Sequence, residues 1–336
     1  MDLSSRYLGL DLANPLVASA SPLSGTVDGV RQLADAGAGA VVLPSLFEEQ
    51  LRQEAARNAM LADAGTESFA ESLSYFPEAA GGDPGPRRYL SLLERAAAAV
   101  DIPVIASLNG ATTGGWTGYA RALEQAGAAA IELNIYHLPF DPLLHGRDVE
   151  QRHVDILTAV KAAVTVPVAV KLSPYFSSTG EMALRLDGAG ADGLVLFNRF
   201  LQPDVDPETL TVASGFQLSS PAEARLPRAW IALLARWVHG SLAATTGVDS
   251  AADVAAYLLA GADVVMTASA LIRHGPGHAR VLLDGLSEWM SRQGFATLAD
   301  VRGRLSIPAG ADGSVYQRSA YVGTLEAANL GHGYDW

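Results

Sequence analysis

The stretch "EQAGAAAIEL" at 124–133 contains the pattern that decides the fold. It has the end of a helix, a glycine, a few small residues and then a short apolar run. The same pattern recurs as "ADAGAGAVVL" at 34–43, "DGAGADGLVL" at 187–196 and "LAGADVVMT" at 259–267. Glycine suits the left-handed position that closes a helix, and a continuous apolar run is typical of a parallel strand covered on both faces. The pattern therefore predicts alternating helices and parallel strands.

Two more strands begin after prolines, in "DIPVIAS" at 101–107 and "TVPVAVK" at 165–171. The complete set of predicted strands lies near 16–19, 40–43, 103–107, 130–134, 167–171, 193–197, 241–245 and 263–267. The predicted helices lie near 26–36, 86–99, 115–126, 148–163, 178–188, 224–238, 250–260 and 276–293. Eight strand–helix units favour an α/β fold of the closed (β/α)₈ TIM-barrel type over an open doubly wound sheet. A Rossmann-type sheet fares worse, because no G-x-G-x-x-G follows the first strand.

Four segments add to the eight units. Residues 3–13 are predicted to form a short hairpin that caps the bottom of the barrel. The segment 47–85 is too long for a simple connection; it begins with a helical stretch, "FEEQLRQEAARNAML", and continues into a turn-rich candidate active-site loop, "SLSYFPEAAGGDPGP". Residues 198–222 form a second insertion, and 305–336 form a C-terminal extension that folds onto the body or a partner subunit. No linker divides the chain, so residues 1–336 are predicted to be a single barrel domain.

Composition excludes several classes of function. The net charge is −13 over 336 residues, which disfavours nucleic acid and anionic membrane surfaces as partners. The absence of cysteine excludes disulfides, thiolate metal sites and a thiol nucleophile. The N-terminus does not resemble a signal peptide, and no apolar stretch approaches the roughly 20 residues of a membrane helix. We expect a cytoplasmic enzyme that acts on a small molecule.

Polar side chains follow the apolar strands at one topological level, the C-terminal ends, where barrel enzymes place their chemistry. These residues are Ser107, Asn109, Asn134, Lys171 and Asn198. Too few carboxylates and histidines converge for a metal site, whereas amides and one cation suit a planar, carbonyl-rich ligand. Taken one at a time, each asparagine is also an ordinary turn-former, and the lysine could simply reach out to the surface.

A second candidate site follows the last two predicted strands. "TTGVDSAADVAAYL" and "MTASALIRHGPGHA" each run from a strand through a turn of small residues into a helix. Backbone N–H groups there, with the hydroxyls of Thr246 and Ser269, are suited to bind a phosphate, and barrels commonly bind phosphate at this place. The alternative is an ordinary capped loop.

Several motifs, taken in order, resemble one enzyme family. They are "NPLVASASP", "ELN", "KLSPYF", "FNRF", "TTGV" and "TASALIRHGP". Over about residues 3–304 the chain resembles class 1 dihydroorotate dehydrogenase and the related flavin domain of dihydropyrimidine dehydrogenase. The resemblance implies an FMN-bearing (β/α)₈ barrel that transfers hydride between FMN and a CH–CH bond of a small, pyrimidine-like ring, with a side-chain acid/base for the second proton.

The resemblance also assigns roles to residues. Lys171 would lie at the N1/O2 edge of the flavin and stabilise its reduced form, and Asn134 and Asn198 would hold the substrate ring. The remaining FMN contacts would come from Ser19, Ala20, Asn109, Asn134, Ser219, Ser220, Thr246, Gly247, Ala268 and Ser269.

Several positions depart from the family pattern. The family has E-L-N-x-S-C-P-N after its fourth strand, with the cysteine as base, and here "ELNIYHLP" places His137 there and Pro139 at the second asparagine. Pro44 replaces the lysine of the family's T-K-S, and Glu71 occupies an asparagine position of its substrate loop. Histidine titrates near neutral pH and is a competent base; the alternative is a structural histidine bonded within the loop. We predict a retained FMN site and a substrate other than dihydroorotate.

Two other functions stay open at this point. One is a phosphate-binding aldolase or isomerase barrel in which Lys171 forms a Schiff base. The other is a flavin-binding subunit of a redox assembly that has no turnover of its own. The expected partners are a small-molecule substrate, a second copy of the chain in a homodimer and a separate electron-transfer protein, with no metal, nucleic acid or membrane.

Overall fold

The computed structural model describes residues 1–49, 85–109, 113–137, 141–199, 204–213 and 217–308, with short pieces at 310–311, 318 and 321–326. Glu71 and Pro139 lie outside these ranges. So do the turn-rich loop at 72–84, nearly all of the helix predicted from residue 47 onward and most of the C-terminal extension. At the start of that extension, the N–H groups of Leu305 and Ile307 donate to the carbonyl oxygens of Leu259 and Ala232. The first residues of the tail therefore lie on the body of the protein.

Twelve strands are present in the described parts of the chain. They are β1 (Ser5–Tyr7), β2 (Leu10–Leu12), β3 (Leu16–Ala18), β4 (Ala40–Phe47), β5 (Val104–Asn109), β6 (Ala130–Asn134), β7 (Val168–Leu172), β8 (Gly193–Leu196), β9 (Asp204–Asp206), β10 (Thr211–Ala213), β11 (Ser241–Ala244) and β12 (Val264–Thr267). Eight of them close a parallel barrel in the order β11-β12-β3-β4-β5-β6-β7-β8. The predicted (β/α)₈ barrel is confirmed.

The helices of the described residues surround this barrel. They are α1 (Val27–Asp35), α2 (Gly85–Ala97), α3 (Thr113–Gln125), α4 (Gly146–Lys161), α5 (Thr179–Gly188), α6 (Arg225–Leu234), α7 (Ala251–Ala260), α8 (Ser269–His274) and α9 (His278–Gln293). The short helix α8 was not predicted as a separate element. None of these helices has the length and apolar character needed to cross a bilayer.

The repeated glycine does close helices, as the first pattern predicted. Gly37 and Gly127 follow α1 and α3 with φ angles of 96° and 90°, a region that side chains with a Cβ rarely adopt. A tight stop there lets the chain turn at once into the next buried strand. The apolar runs that follow, residues 40–43 of β4 and 130–133 of β6, are buried.

The barrel is closed at its N-terminal end by the hairpin β1–β2. Tyr7 and Leu8 pack against a cluster of side chains inside the barrel that includes Val195 and Ala243. The Leu8 N–H donates to Ser241 Oγ at 3.0 Å, and Ser5 Oγ donates to the Asp263 carbonyl at 2.6 Å. This confirms the predicted bottom cap, which leaves the opposite, C-terminal end as the mouth of the barrel.

The second insertion contains a small hairpin. Strands β9 and β10 pair antiparallel with each other, with Val205 opposite Val212. Both valines are exposed, at 71% and 72%. An isolated two-stranded hairpin is marginally stable in water, so this apolar pair is an unusual feature of the surface.

Candidate active site at the barrel mouth

Lys171 lies in β7 near the end of that strand and points into the barrel. Strand residues alternate between the inside and the outside, and Ala169, two residues earlier, belongs to the interior cluster. Lys171 is only 9% exposed. The alternative of a lysine that reaches out to the surface is therefore wrong, and the ammonium group belongs to the mouth of the barrel.

The partner of Lys171 is a buried carboxylate that sequence reasoning missed. Glu132 in β6 is 1% exposed, and its Oε1 lies 3.3 Å from Lys171 Nζ. Glu132 stands inside the apolar run "AIELN", between Ala130 and Asn134 on the same face of the strand. A charge within a run that is otherwise apolar, on the face that carries a predicted site residue, was the available signal.

The two predicted asparagines are joined by hydrogen bonds. Asn198 Nδ2 donates to Asn134 Oδ1 at 2.7 Å, and Asn134 Nδ2 donates to Ser45 Oγ at 3.1 Å. Ser45 Oγ in turn lies 2.8 Å from Ser107 Oγ. This path crosses from β8 to β5 at the level of Lys171, so the structure brings the predicted strand-end residues together. Ser45 was not predicted as a site residue.

Pro44 occupies a bulge in β4. The pairing of β4 with β5 shifts register between Val42 and Ser45, and bulges are places where a strand tolerates proline. The Tyr89 hydroxyl donates to the Pro44 carbonyl at 2.8 Å, and burial raises the pKa of Tyr89. The neutral phenol of α2 therefore fixes the strand segment that carries Ser45.

The two predicted phosphate turns, at Gly247 and Ser269, meet at Ser219, which was predicted to lie in a separate flavin-contact loop. Ser219 donates to Ser269 Oγ from both its backbone N–H, at 3.0 Å, and its hydroxyl, at 2.9 Å. The Gly247 N–H donates to Ser219 Oγ at 3.2 Å. Ser219 is 6% exposed. Segments 28 and 50 residues apart along the chain thus meet around one serine.

The backbone around Gly247 is tightly constrained. Thr246 and Gly247 have φ angles of 82° and 72°, and positive φ is strained for a β-branched residue such as threonine. A Cβ on Gly247 would lie 2.8 Å from the Ser220 carbonyl oxygen and 2.8 Å from the Ala224 nitrogen. The turn therefore requires glycine at this position.

Two neighbours of this cluster have other partners. The Ser220 N–H and hydroxyl both point to Glu223 Oε2, at 2.6 and 3.3 Å, so the Ser220 side chain caps the short helical turn after it. Arg273 of α8 donates to the Ser219 carbonyl and pairs with Asp249 at 2.7 Å. Sequence reasoning missed Arg273, whose guanidinium connects the Ser219 segment to Asp249, two residues after Gly247.

The other predicted FMN contacts also lie at the C-terminal ends of strands. Ser19 is 5% exposed and its N–H donates to the Thr267 carbonyl at 3.0 Å. Ala20 packs against the interior cluster of the barrel. Asn109 ends β5 and is 7% exposed, while Ala268 is the N-cap residue of α8.

His137 follows β6 at the mouth of the barrel and is partly buried. Burial lowers its pKa from 6.5, and the positive charge of Arg152 lowers it further. Imidazole in this setting is neutral near pH 7, which is the form that accepts a proton. Tyr136, the other candidate in this loop, is 37% exposed.

No cluster of three or more histidine, aspartate or glutamate side chains suited to a metal is present in the described ranges. A closed barrel with a cation and amides at its mouth, together with a tight turn of small residues after the last two barrel strands, is the arrangement typical of (β/α)₈ enzymes that bind a phosphate-bearing ligand.

Comparison with known proteins identifies the family. The family model "Dihydroorotate dehydrogenase" matches residues 2–290. Three similar proteins are named catalytic subunit of dihydroorotate dehydrogenase B (NAD(+)). That of Halalkalibacterium halodurans is 32% identical over 61% of this chain and 68% of its own length. That of Methanocella arvoryzae is 29% identical over 87% and 94%, and that of Methanothermobacter thermautotrophicus 24% over 90% and 97%.

The chain belongs to the dihydroorotate dehydrogenase family. Enzymes of this family are FMN-dependent oxidoreductases that act on CH–CH bonds, so the aldolase or isomerase and the subunit without turnover are set aside. The described residues fit FMN: the Gly247 turn leaves no room for a Cβ, and a cation and amides lie at the mouth of the barrel.

Proposed function

We propose that this enzyme oxidises or reduces the CH–CH bond of a small, pyrimidine-like ring other than dihydroorotate. Bound FMN supplies the two-electron acceptor or donor for that bond. The chain supplies the rest: His137 holds or accepts the second proton, Lys171 places a positive charge at the N1/O2 edge of the flavin, and Asn134 and Asn198 orient the ring. We also propose that residues 1–336 form one domain.

The hydrogen-bonded path through Asn198, Asn134 and Ser45, beside the Lys171 ammonium, is the observation that carries the proposal. A carboxamide has two N–H groups and a carbonyl oxygen, so donating one hydrogen bond leaves Asn198 with further groups for a ligand. Amides fixed by neighbours can position a ring that carries both carbonyl and N–H groups. The positive charge beside them favours the electron-rich form of a flavin.

FMN would be held mainly from the side of the last two strands. The convergence of Ser219, Gly247 and Ser269 supports a phosphate there, with Thr246 and Ala268 in the same turns. Ser220, whose N–H and hydroxyl are bonded to Glu223, would hold the turn and would not bind the phosphate itself. Ser19 and Ala20 after β3, and Asn109 and Asn134 at the mouth, would contact the flavin ring.

Gly247→Ala is expected to weaken FMN binding at least tenfold and to lower stability by about 1–3 kcal/mol, the usual cost of a strained backbone conformation. The added Cβ must displace the Ser220 carbonyl or Ala224, which lie within 3.0 Å of its position. Fluorescence titration of the apoprotein with FMN and thermal unfolding measure the two effects.

Gly275→Ala is the matched control. Gly275 also has a positive φ, 82°, but a Cβ there meets nothing within 4 Å. It should share the backbone penalty and keep FMN affinity within about threefold of wild type. Equal loss of FMN affinity in the two variants would contradict a phosphate site at Gly247.

The departures from the family pattern support a substrate other than dihydroorotate. Pro44 stands where the family has a lysine, and Tyr89 and the β4 bulge fix that backbone without an amine. Glu71 and Pro139 replace two amides of the family pattern. An acid at residue 71 would repel the carboxylate of dihydroorotate. The test is anaerobic reduction of the bound FMN by a panel of dihydropyrimidine-type rings, with and without an exocyclic carboxylate.

We also propose that two chains associate through the hairpin β9–β10. Its paired valines, Val205 and Val212, are exposed, and apolar side chains on a marginal hairpin gain stability when a partner covers them. Val205→Asp with Val212→Asp should convert a mass of two chains to the 35.1 kDa of one. Light scattering after size exclusion measures this mass.

The control for this change is Val281→Asp on α9, a valine that is 59% exposed on the body of the protein. It introduces the same charge away from the hairpin and should leave the mass of the assembly unchanged. A wild-type protein that is monomeric at micromolar concentration would rule the homodimer out.

A separate electron-transfer protein completes the proposal. Similar proteins are named catalytic subunits, which implies that other subunits exist for those enzymes. Because this chain has no cysteine, cysteine-ligated iron–sulfur clusters that exchange electrons with its FMN would have to lie on another chain.

A further inference from the structure

The Lys171–Glu132 ion pair lies almost wholly inside the barrel. The side chains are 10% and 1% exposed. Towards the bottom of the barrel the interior is apolar, with Ala130 and Ala169 one layer deeper on the same two strands. A carboxylate in such surroundings is strongly unfavourable unless an opposite charge accompanies it. The Lys171 ammonium is the positive charge paired with it.

The pair also restricts Lys171. A lysine side chain has a flexible four-carbon stem, so its ammonium group can occupy many positions. The contact between Lys171 Nζ and Glu132 Oε1, at 3.3 Å, holds the ammonium group on the β6 side of the mouth. Glu132 Oε2 is buried and has no hydrogen-bond partner within the described residues. Among the described residues, Lys171 is therefore the cation that the structure pairs with this carboxylate.

We infer that Glu132 is a positioning residue that sets the reduction potential of the bound FMN through Lys171. Glu132 holds the ammonium at the mouth and, as its counter-ion, offsets part of its positive charge. A positive charge beside the flavin favours the reduced form, and a nearby negative charge opposes it. The inference rests on the proposed placement of Lys171 beside FMN.

Glu132→Gln tests this directly, because it keeps the shape of the side chain and removes only its charge. Lys171 then acts on the flavin without an offset. The midpoint potential of bound FMN, measured by equilibration with redox dyes, should rise by about 30 mV or more. For a two-electron couple this is a tenfold shift towards the reduced form.

Glu288→Gln is the matched control. Glu288 is exposed on α9, so the same chemical change is made on the outer surface. The midpoint potential should stay within about 9 mV of wild type, which is a twofold change of the equilibrium. A merely structural role of Glu132 would lower the stability of Glu132→Gln but leave the potential of its bound FMN unchanged. That result would overturn the inference, and so would a lowered potential, which would mean that the ammonium had moved away from the flavin.

Glu132→Asp covers the case in which Glu132→Gln does not fold. Aspartate keeps the negative charge in the barrel but retracts it by one methylene from Lys171 Nζ. The midpoint potential should rise by about 14 mV or more, a threefold shift of the equilibrium towards reduced FMN, and an unchanged potential overturns the inference. A wild-type apoprotein that binds no FMN overturns the proposed function and this inference together, whereas FMN bound at an unchanged potential overturns the role of Glu132 alone.

Discussion

His137→Asn is expected to slow reduction of the bound FMN by substrate by roughly 10²–10⁴-fold, the usual worth of a positioned general base. Asparagine keeps a polar side chain of similar length but cannot accept the proton. FMN should remain bound, because the cluster of Ser219, Gly247 and Ser269 lies on other segments. Stopped-flow spectroscopy of flavin reduction under anaerobic conditions measures the rate.

The rate of FMN reduction should also depend on pH in a definite direction. A general base acts in its neutral form, so the rate is full above its pKa and falls as pH drops through it. Burial and Arg152 lower the pKa of His137 from 6.5, which places the falling limb below pH 6.5. In His137→Asn the rate should be slow at every pH and should no longer fall as the pH drops below 6.5.

His239→Asn is the control for this change. The His239 ring is 95% exposed and pairs with Asp187, and His239 precedes β11 at the closed end of the barrel, so its loss should leave the rate within about twofold of wild type. A His137→Asn enzyme that reduces its FMN as fast as wild type would make His137 a structural residue. Tyr136 would then be the next candidate, as an acid more than a base because of its reference pKa near 10.

Dihydroorotate is expected to reduce the bound FMN about 10³-fold or more slowly than the best ring in the panel. The family pattern holds its substrate with a lysine and two amides that this chain replaces by Pro44, Glu71 and Pro139. Hydrogen bonds to charged groups are each worth about 1.5–3 kcal/mol, and about 1.4 kcal/mol is tenfold in rate. Losing several of them therefore multiplies into a large discrimination.

Reduction by dithionite in the same cuvette is the control, since it shows that the flavin itself is competent. Dihydroorotate turnover at ordinary enzyme rates would contradict the rebuilt substrate site. It would leave the FMN site and the family assignment untouched, because these depend on other residues.

Much of the fold could be predicted because its signals are local. The glycine after each helix, as at Gly37 and Gly127, and the apolar run that follows are read within about ten residues. Strand β4 shows where this fails: the prediction stopped at 43, whereas the strand runs on through the Pro44 bulge to Phe47. Proline argues against a strand locally, and only the pairing with β5 sustains it. Helix α8 was missed because its six residues are too few for a periodic pattern.

Some residues of the candidate site could likewise be predicted from local sequence, and others could not. Asn134, Lys171 and Asn198 could be predicted because a polar residue at the end of an apolar strand is visible in the sequence. Glu132 could not be paired with Lys171, because the two lie 39 residues apart and meet only when β6 and β7 align in register. The roles of the predicted residues remain predictions.

The sequence by itself determined the alternation of helices and parallel strands, the eight strands of the barrel and the family resemblance, since backbone conformation and short motifs depend on neighbouring residues. Tertiary structure alone decided which side chains meet: Ser45 with Ser107, Glu132 with Lys171, and Ser219 with Ser269 and Gly247. The physical reason is that barrel closure and strand register fix distances of a few ångströms between residues far apart in the chain, and no local pattern encodes those distances.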